Sequence, residues 1–265
     1  TAMLRALQTL GETLIREGAP VLVRTAGNGR ADTILVSIDA PWQVTTLRTE
    51  TFEEKTPFVF TKGFVAEALK KNHTAIPGKV LADESIIGTI LNGYETRDPY
   101  GKRVHRASVV ILTSYIDDKV AEGIATTLRS LYHTKHILHI VGNSLRYQAM
   151  RIAFPHERDA LILDATGPLT SIALIRKNLL VTVVEMSESV PAKTPDAWVQ
   201  RVKDELTEVA KRFPLPRTIF LLAQESEMAS LRATLDAAKL GELWLSDNPP
   251  NIVSVLASHV SGTIK

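Results

Sequence analysis

Cysteine is absent from the 265-residue sequence. Disulfides, thiolate zinc sites and cysteine nucleophiles are thereby excluded, and the absence fits a reducing compartment. A charge excess is missing as well. Lys and Arg number 31 against 29 Asp and Glu, a formal charge of +2. A dedicated nucleic-acid binder carries a clustered basic excess instead, so no nucleic-acid partner is expected. The longest apolar runs, 34–38 and 179–184, fall far short of the roughly 20 residues a membrane-spanning helix requires. The opening Thr-Ala-Met and the amphipathic stretch behind it lack the charged-then-apolar layout of a signal peptide. No internal sequence repeat and no low-complexity segment is visible. What the chain does have is 45% hydrophobic residues, enough to fill the core of one large domain or two smaller ones. It reads as soluble, intracellular and globular.

Residues 3–17 place Leu4, Leu7, Leu10, Leu14 and Ile15 at helical steps, and Gly18 with Pro20 is expected to stop that helix. A short strand at 21–24 and a turn at Gly27-Asn-Gly29 follow. The continuous run Thr33-Ile-Leu-Val-Ser-Ile38 reads as a buried central strand. Residues 43–52 alternate and are rich in Thr, as a strand with one exposed face should be. Residues 61–71 form a short helix. Strand signals at 85–91 and 108–113 flank the turn Asp98-Pro-Tyr-Gly101, and 117–131 repeats apolar residues at helical spacing behind acidic first-turn residues. Together 80–131 makes a strand–turn–strand–helix unit of about 50 residues, small for an independent domain and expected to be an inserted lobe. It should pack against the strand layer of residues 20–60 and leave a cleft between.

Strands are expected at 137–141, 160–164, 217–222 and 243–246, a hairpin at 170–175 and 179–185, and helices at 144–153, 195–213, 225–239 and 252–260. Strand and helix alternate throughout, which makes an α/β fold with antiparallel hairpins mixed in.

Three segments, in order, resemble the FtsA/PilM-like branch of the actin-like proteins. Ile34-Leu-Val-Ser-Ile38 with Asp39-Ala-Pro-Trp42 and the Thr-rich strand is similar to that branch's first subdomain. Asn92-Gly-Tyr94 through Asp98-Pro-Tyr-Gly-Lys-Arg103, with the strand and helix that follow, resembles its extra subdomain. Leu161-Ile-Leu-Asp-Ala-Thr-Gly-Pro-Leu-Thr-Ser-Ile-Ala-Leu174 is similar to its second phosphate loop. The resemblance implies an actin-like, ribonuclease H-like fold of mixed sheets with helices. Its divisions would be a first subdomain over 1–79, an inserted α/β subdomain over 80–135 and a second subdomain over 136–265. It also implies a protein or peptide partner such as the cytoplasmic tail of a membrane protein, self-assembly into a homo-oligomer, and a place in the cytoplasm, peripheral at the inner membrane.

The departures matter as much. A phosphate loop works because successive glycines bring backbone N–H groups up to an anion. Asp164, Gly167 and Thr170 fit that pattern, but Thr166 and Pro168 stand at two glycine positions, and proline has no N–H to give. Ser171 replaces the family's last Asp or Asn. Where a glycine-rich turn would face the adenosine, Ala223-Gln-Glu-Ser226 brings side chains, one of them acidic. The interval from Asp164 to Ala223 holds only a hairpin and one helix, so the helical cap over the purine is expected to be reduced or absent. The sequence given starts at a helix, so the N-terminal strand hairpin that would hold the first phosphate loop is expected to be missing from it.

Asp164 after a buried strand suits either a water- or metal-positioning carboxylate or a turn cap, and the turn cap is favoured. His133, His136 and His139 are three apart, but a strand from Ile137 turns the last two to opposite sides, so no metal site is expected. Ser144, Ser171 and Ser226 lack the Gly-x-Ser-x-Gly setting of a hydrolase nucleophile and read as polar turn residues. Lys102, Arg103 and Arg106 with Tyr94 and Tyr100 make a basic, aromatic tip, either a solvated turn or a contact for an acidic partner or lipid head groups. Trp42 is a core plug or a binding anchor. Two readings stand. One is a non-catalytic scaffold without cofactor that binds a peptide or assembles with itself, as in pilus or cell-division assembly. The other is an ATP-binding homologue using Mg-ATP as a slow ATPase.

Overall fold

The computed structural model describes residues 2–71, 75–167, 169–186, 195–244 and 248–256. In chain order the elements are α1 (Ala2–Ala26), β1 (Thr33–Ile38), β2 (Gln43–Val59), α2 (Lys62–Lys71), β3 (Lys79–Leu91), β4 (Tyr94–Glu95), β5 (Arg103–Asp117), α3 (Asp118–Tyr132), β6 (His136–Val141) and α4 (Gly142–Ala153). They continue with β7 (Ala160–Asp164), β8 (Ser171–Arg176), β9 (Leu179–Glu185), α5 (Pro195–Arg212), β10 (Thr218–Leu222), α6 (Glu225–Ala237), a short 3-10 turn (Leu240–Leu243) and β11 (Asn251–Val255). The architecture is α/β.

The C-terminal half is a five-stranded sheet in the order β11-β10-β7-β8-β9. Strands β7, β10 and β11 are parallel, β8 is antiparallel to β7, and β9 returns antiparallel to β8. Every residue of β7 is buried, which is what a strand covered on both faces requires and why it reads as one unbroken apolar run. Helix α5 turns Trp198, Val202, Leu206 and Val209 inward at helical spacing and shares a core with Met228, Leu231 and Leu235 of α6.

The N-terminal half repeats part of that plan. Strands β1 and β6 pair in parallel, Thr33 opposite His136 through Ile38 opposite Val141. They pack with α1 and α3 around Ile38, Ile116, Ile124, Leu128 and Val141. Helix α3 starts at an Asp117 side chain that accepts from the Val120 N–H at 3.2 Å and ends at His133 in the left-handed region, φ 54°. The order α1–β1, then α3–β6, thus mirrors α5–β10, then α6–β11. One difference is plain. Strand β10 has β7 on its second edge, whereas β1 pairs with no second strand among the described residues. It is therefore not the buried central strand expected from its sequence; its residues alternate between exposed and at least partly covered.

Between β1 and α3 lies a four-stranded antiparallel sheet, β2-β5-β3-β4, backed by α2 through Phe60, Val65, Val104, Val109 and Ile111. This corrects the expectation that 80–131 is a separate lobe facing the layer of residues 20–60. Strand β5 runs alongside β2 from Gln43 opposite Ile116 to Val59 opposite Arg103, with one irregularity between Glu53 and Phe58. The inserted sheet therefore includes β2, and the stretches 1–79 and 80–135 share it. The reason is burial: β5 is long and buried over residues 111–116, so it needs a hydrogen-bonding neighbour on both edges. Helix α3, assigned to the insert from sequence, packs with α1 and the β1–β6 pair instead.

Three local expectations are also overturned. Residues 21–24 continue α1 rather than forming a strand; Pro20 sits inside the helix, where the Pro20 carbonyl accepts from Arg24 Nε at 3.2 Å. Residues 252–255 form strand β11 rather than the start of a helix, because the edge of β10 offers them a ladder, which the β-branched Ile252, Val253 and Val255 can join but do not by themselves impose. The strand expected at 243–246 begins in the 3-10 turn and Trp244, whose Nε1 donates to the Pro216 carbonyl at 2.8 Å. Its residues 245 and 246, like 257–260 of the expected helix, lie outside the described residues. Among the described residues, no helix is long and apolar enough to cross a membrane.

Candidate functional site

The carboxyl ends of β1 and β7 face one another across the junction of the two halves, and the polar side chains of the chain gather there. Strand β7 ends on Asp164, whose side chain is 3% exposed. Its Oδ1 accepts from the Thr166 N–H at 2.9 Å and from the Thr166 hydroxyl at 2.6 Å. Asp164 therefore caps the turn that follows it, and Thr166 spends both of its donors on it. Strand β1 leads to Asp39. Arg146, on the second turn of α4, forms ion pairs with both Asp39 and Asp164. Its guanidinium sits between the two carboxylates as a fixed internal cation.

Glycine makes this approach possible. A Cβ on Gly142, the first residue of α4, would overlap Asp39 Oδ1 and Arg146 Nη2. A Cβ on Gly167 would also meet Asp39, but only at ordinary van der Waals distance. Pro168, the second expected replacement in the loop, lies outside the described residues. Thr170 is fully buried. Its hydroxyl accepts from Trp198 Nε1 at 3.0 Å and its carbonyl from the Met186 N–H at 2.8 Å.

A second set of side chains extends the network. Glu185 at the end of β9 accepts from Asn143 Nδ2 at 2.9 Å and from Gln43 Nε2. Asn143 in turn accepts from the Ser171 hydroxyl at 3.0 Å, and Gln43 from the Thr45 hydroxyl at 2.8 Å. Ser144 donates to Asp83 of β3 at 2.6 Å. Serines 144 and 171 are structural donors, but they lie on α4 and at the start of β8 rather than in turns as expected. The inserted sheet, the N-terminal half and the C-terminal sheet are thus sewn together at one point.

Burial pushes the Glu185 carboxyl above its ordinary range, reinforced by Asp39 and opposed by Gln43, Asn143 and Arg146. A raised carboxyl pKa means the folded chain holds this proton more tightly than the unfolded chain. The associated stability is present below the unfolded pKa and lost as pH rises through the folded one. Glu185→Gln keeps the acceptor and removes the titration. Urea midpoints measured across the acid-to-neutral range should fall less with rising pH in this variant than in the parent. Parallel curves would show that Glu185 does not titrate differently on folding.

The remaining sequence candidates are placed as follows. Ser226 is exposed in the first turn of α6, next in chain to the sheet end that carries Asp164, and makes no hydrogen bond to the network. Trp42 is half-buried among Ile38, Ile116 and Val120. Tyr100 stacks on Phe60 at 5.8 Å between ring centres, with Lys62 Nζ 5.4 Å from its own ring. Tyr94 is 78% exposed. Lys102, Arg103 and Arg106 are exposed at the same end of the inserted sheet, and Arg106 lies 3.9 Å from Glu53. His133 caps α3, while His136 and His139 fall on opposite faces of β6. The His139 ring is held below its ordinary pKa by burial and by Arg129. Arg146 and Glu185 escaped the sequence reading. No motif surrounds them; each matters only through partners distant in the chain.

No protein-family model matches the sequence, and no curated protein matches it. Solved structures do. The PilM–PilN type IV pilus biogenesis complex matches over 94% of this chain and 74% of the other, with 15% identity and a TM-score of 0.52. A protein of unknown function with an actin-like ATPase fold from Bacteroides thetaiotaomicron matches over 89% and 74%, with 9% identity and a TM-score of 0.43. The first likeness shows the fold. The chain has the actin-like architecture that its sequence motifs resemble.

Proposed function

We propose that this chain is a non-catalytic actin-like scaffold that binds a peptide segment of a partner protein and uses no nucleotide. The observation that carries the reading is Arg146 between Asp39 and Asp164. A magnesium nucleotide needs free carboxylate oxygens and outward-aimed loop N–H groups at this position. Here the carboxylates are neutralised from within, and the Thr166 N–H is bonded back to Asp164. The residues do not fit the group. The peptide-binding part draws on the fold shared with PilM, which is solved as a complex with PilN; the analogous partner would be a tail of a membrane-linked protein. The chain would then work in the cytoplasm, at the inner face of a membrane.

Calorimetric titration with Mg-ATP tests the reading. Each lost charge-assisted donor forfeits about 1.5–3 kcal/mol, so no binding is expected at micromolar nucleotide. Micromolar affinity, or ATP turnover, would revive the competing reading of a slow ATPase.

Self-assembly is a second reading, favoured by the edge of β1 that has no partner strand among the described residues. Leu35 and Leu138 on the outer face of that pair are 59% and 56% exposed, and Leu10, Leu14 and Val23 of α1 are 62%, 63% and 54% exposed. An apolar face beside an unpaired strand edge is an association surface. Light scattering should show the parent chain forming oligomers and the Leu14→Lys/Leu35→Lys variant remaining monomeric. A monomeric parent would remove this reading.

A further inference from the structure

Away from the junction, a groove of about 280 Å³ runs between the outer edge of β3, the turn over 95–100 and α4. Its origin lies in a short hairpin. Asn92 and Gly93, at φ 48° and 88°, reverse β3 into β4, a turn that needs two left-handed residues. Strand β4 then follows β3 for only two pairs, Ile90 opposite Glu95 and Leu91 opposite Tyr94. The last rung is the Thr96 N–H to the Thr89 carbonyl at 2.9 Å. Beyond it the chain peels away, drawn off by buried Pro99 and by Tyr100 on Phe60. The outer edge of β3 before Thr89 is left without a partner strand among the described residues. The edge is held firmly from behind: a Cβ on Gly88 would overlap Leu179 Cδ2 at the start of β9.

The walls of the groove carry one sign of free charge. Arg97 rises from the turn and Arg151 from α4. The Arg151 guanidinium lies 5.9 Å from the centre of the Tyr147 ring, and neither arginine has a carboxylate partner among the described residues. The one acidic lining residue, Glu95, is already paired with Arg158 at 3.5 Å. Ile86 and Tyr100 supply apolar contact. A strand edge and two guanidinium groups that have no strand or carboxylate partner among the described residues, beside apolar walls, are complementary to one kind of occupant.

We propose that this groove docks an extended acidic peptide as an added strand on β3, continuing the line of β4 with its carboxylates on Arg97 and Arg151. The inference rests on the scaffold reading and gives it a location and a ligand chemistry. Binding would add backbone hydrogen bonds where β4 stops and would weaken as salt screens the arginines.

Fluorescence anisotropy on the whole chain tests it, with a short labelled peptide alternating valine and glutamate and a matched peptide alternating valine and lysine. The acidic peptide should bind and the lysine peptide should not. Arg97→Glu, an exposed substitution, should weaken the acidic peptide by about fivefold or more. Arg151→Gln should do so as well, with its thermal melt checked because this arginine is half-buried. Hydrogen exchange should slow at 86–89 when the acidic peptide is bound. Equal binding of both peptides, no binding of either, indifference to Arg97→Glu, or no protection at 86–89 would each overturn the proposal. Failure of the scaffold reading would show separately, as micromolar Mg-ATP binding whatever the peptides do.

Discussion

Replacing Arg146 by methionine should cost about 3 kcal/mol of folding stability, the lower end of what breaking a buried ion pair costs. Asp164 supplies most of that loss. Its side chain is 3% exposed, against 28% for Asp39, so Asp39 regains water when the guanidinium goes and Asp164 does not. The Thr166 N–H and hydroxyl would remain the only polar partners of its side chain among the described residues. A second substitution should recover much of the loss. Asp164→Asn retains an acceptor oxygen for Thr166 while removing the charge that Arg146 balanced. A double-mutant cycle read by urea unfolding should therefore give a large coupling between positions 146 and 164. Arg146→Lys should not restore stability, since one ammonium does not span two carboxylates as a planar guanidinium does. Additive effects in the cycle would mean that the pair does not couple, and the case for an internally neutralised cleft would fall with it.

Trp198→Ala should be at least as damaging, by about 3–5 kcal/mol, the usual cost of emptying a large aromatic site. Trp198 is 6% exposed at the centre of the C-terminal core, among Val202, Leu206 and Met186. It also holds the turn after β7, because its Nε1 donates to the fully buried Thr170 hydroxyl. Trp198→Phe separates the two contributions. It keeps most of the apolar contact and leaves Thr170 without that donor, for a smaller cost of about 1–3 kcal/mol. Differential scanning calorimetry of both variants would check the order. If phenylalanine proved as costly as alanine, the hydrogen bond to the turn would outweigh the packing.

These two positions illustrate what could and could not be read ahead of the fold. Trp198 lies on an amphipathic helix whose apolar stripe is visible in the residues themselves. Arg146 lies on a helix that was also expected, yet nothing near it in sequence marks it out. Its partner Asp39 is 107 positions away. The loop around Asp164 was suspect from sequence because Thr166 and Pro168 stand where glycines should, and the bond from Thr166 back to Asp164 gives that suspicion a geometry.

The sequence by itself determined the elements whose signal is local. The unbroken apolar run of β7, the hairpin β8–β9 and the stripes of α3 and α5 follow from side-chain pattern, which needs no knowledge of neighbours. Strand β1 was legible as a strand but not as the half-exposed one it is. The actin-like motifs, in their order, pointed to the architecture. Only the tertiary structure decided which strands pair. That β5 lies between β2 and β3, and so carries the insert back to residue 43, is a choice between partners equally able to form a ladder. It also decided that 252–255 is a strand, since β10 offered an edge. The polar network at the junction belongs to the same class. Its members come from Asp39 just after β1 and from β2, β3, α4, β7, β8 and β9, and their meeting depends on closure of long loops, whose free energy no local pattern records.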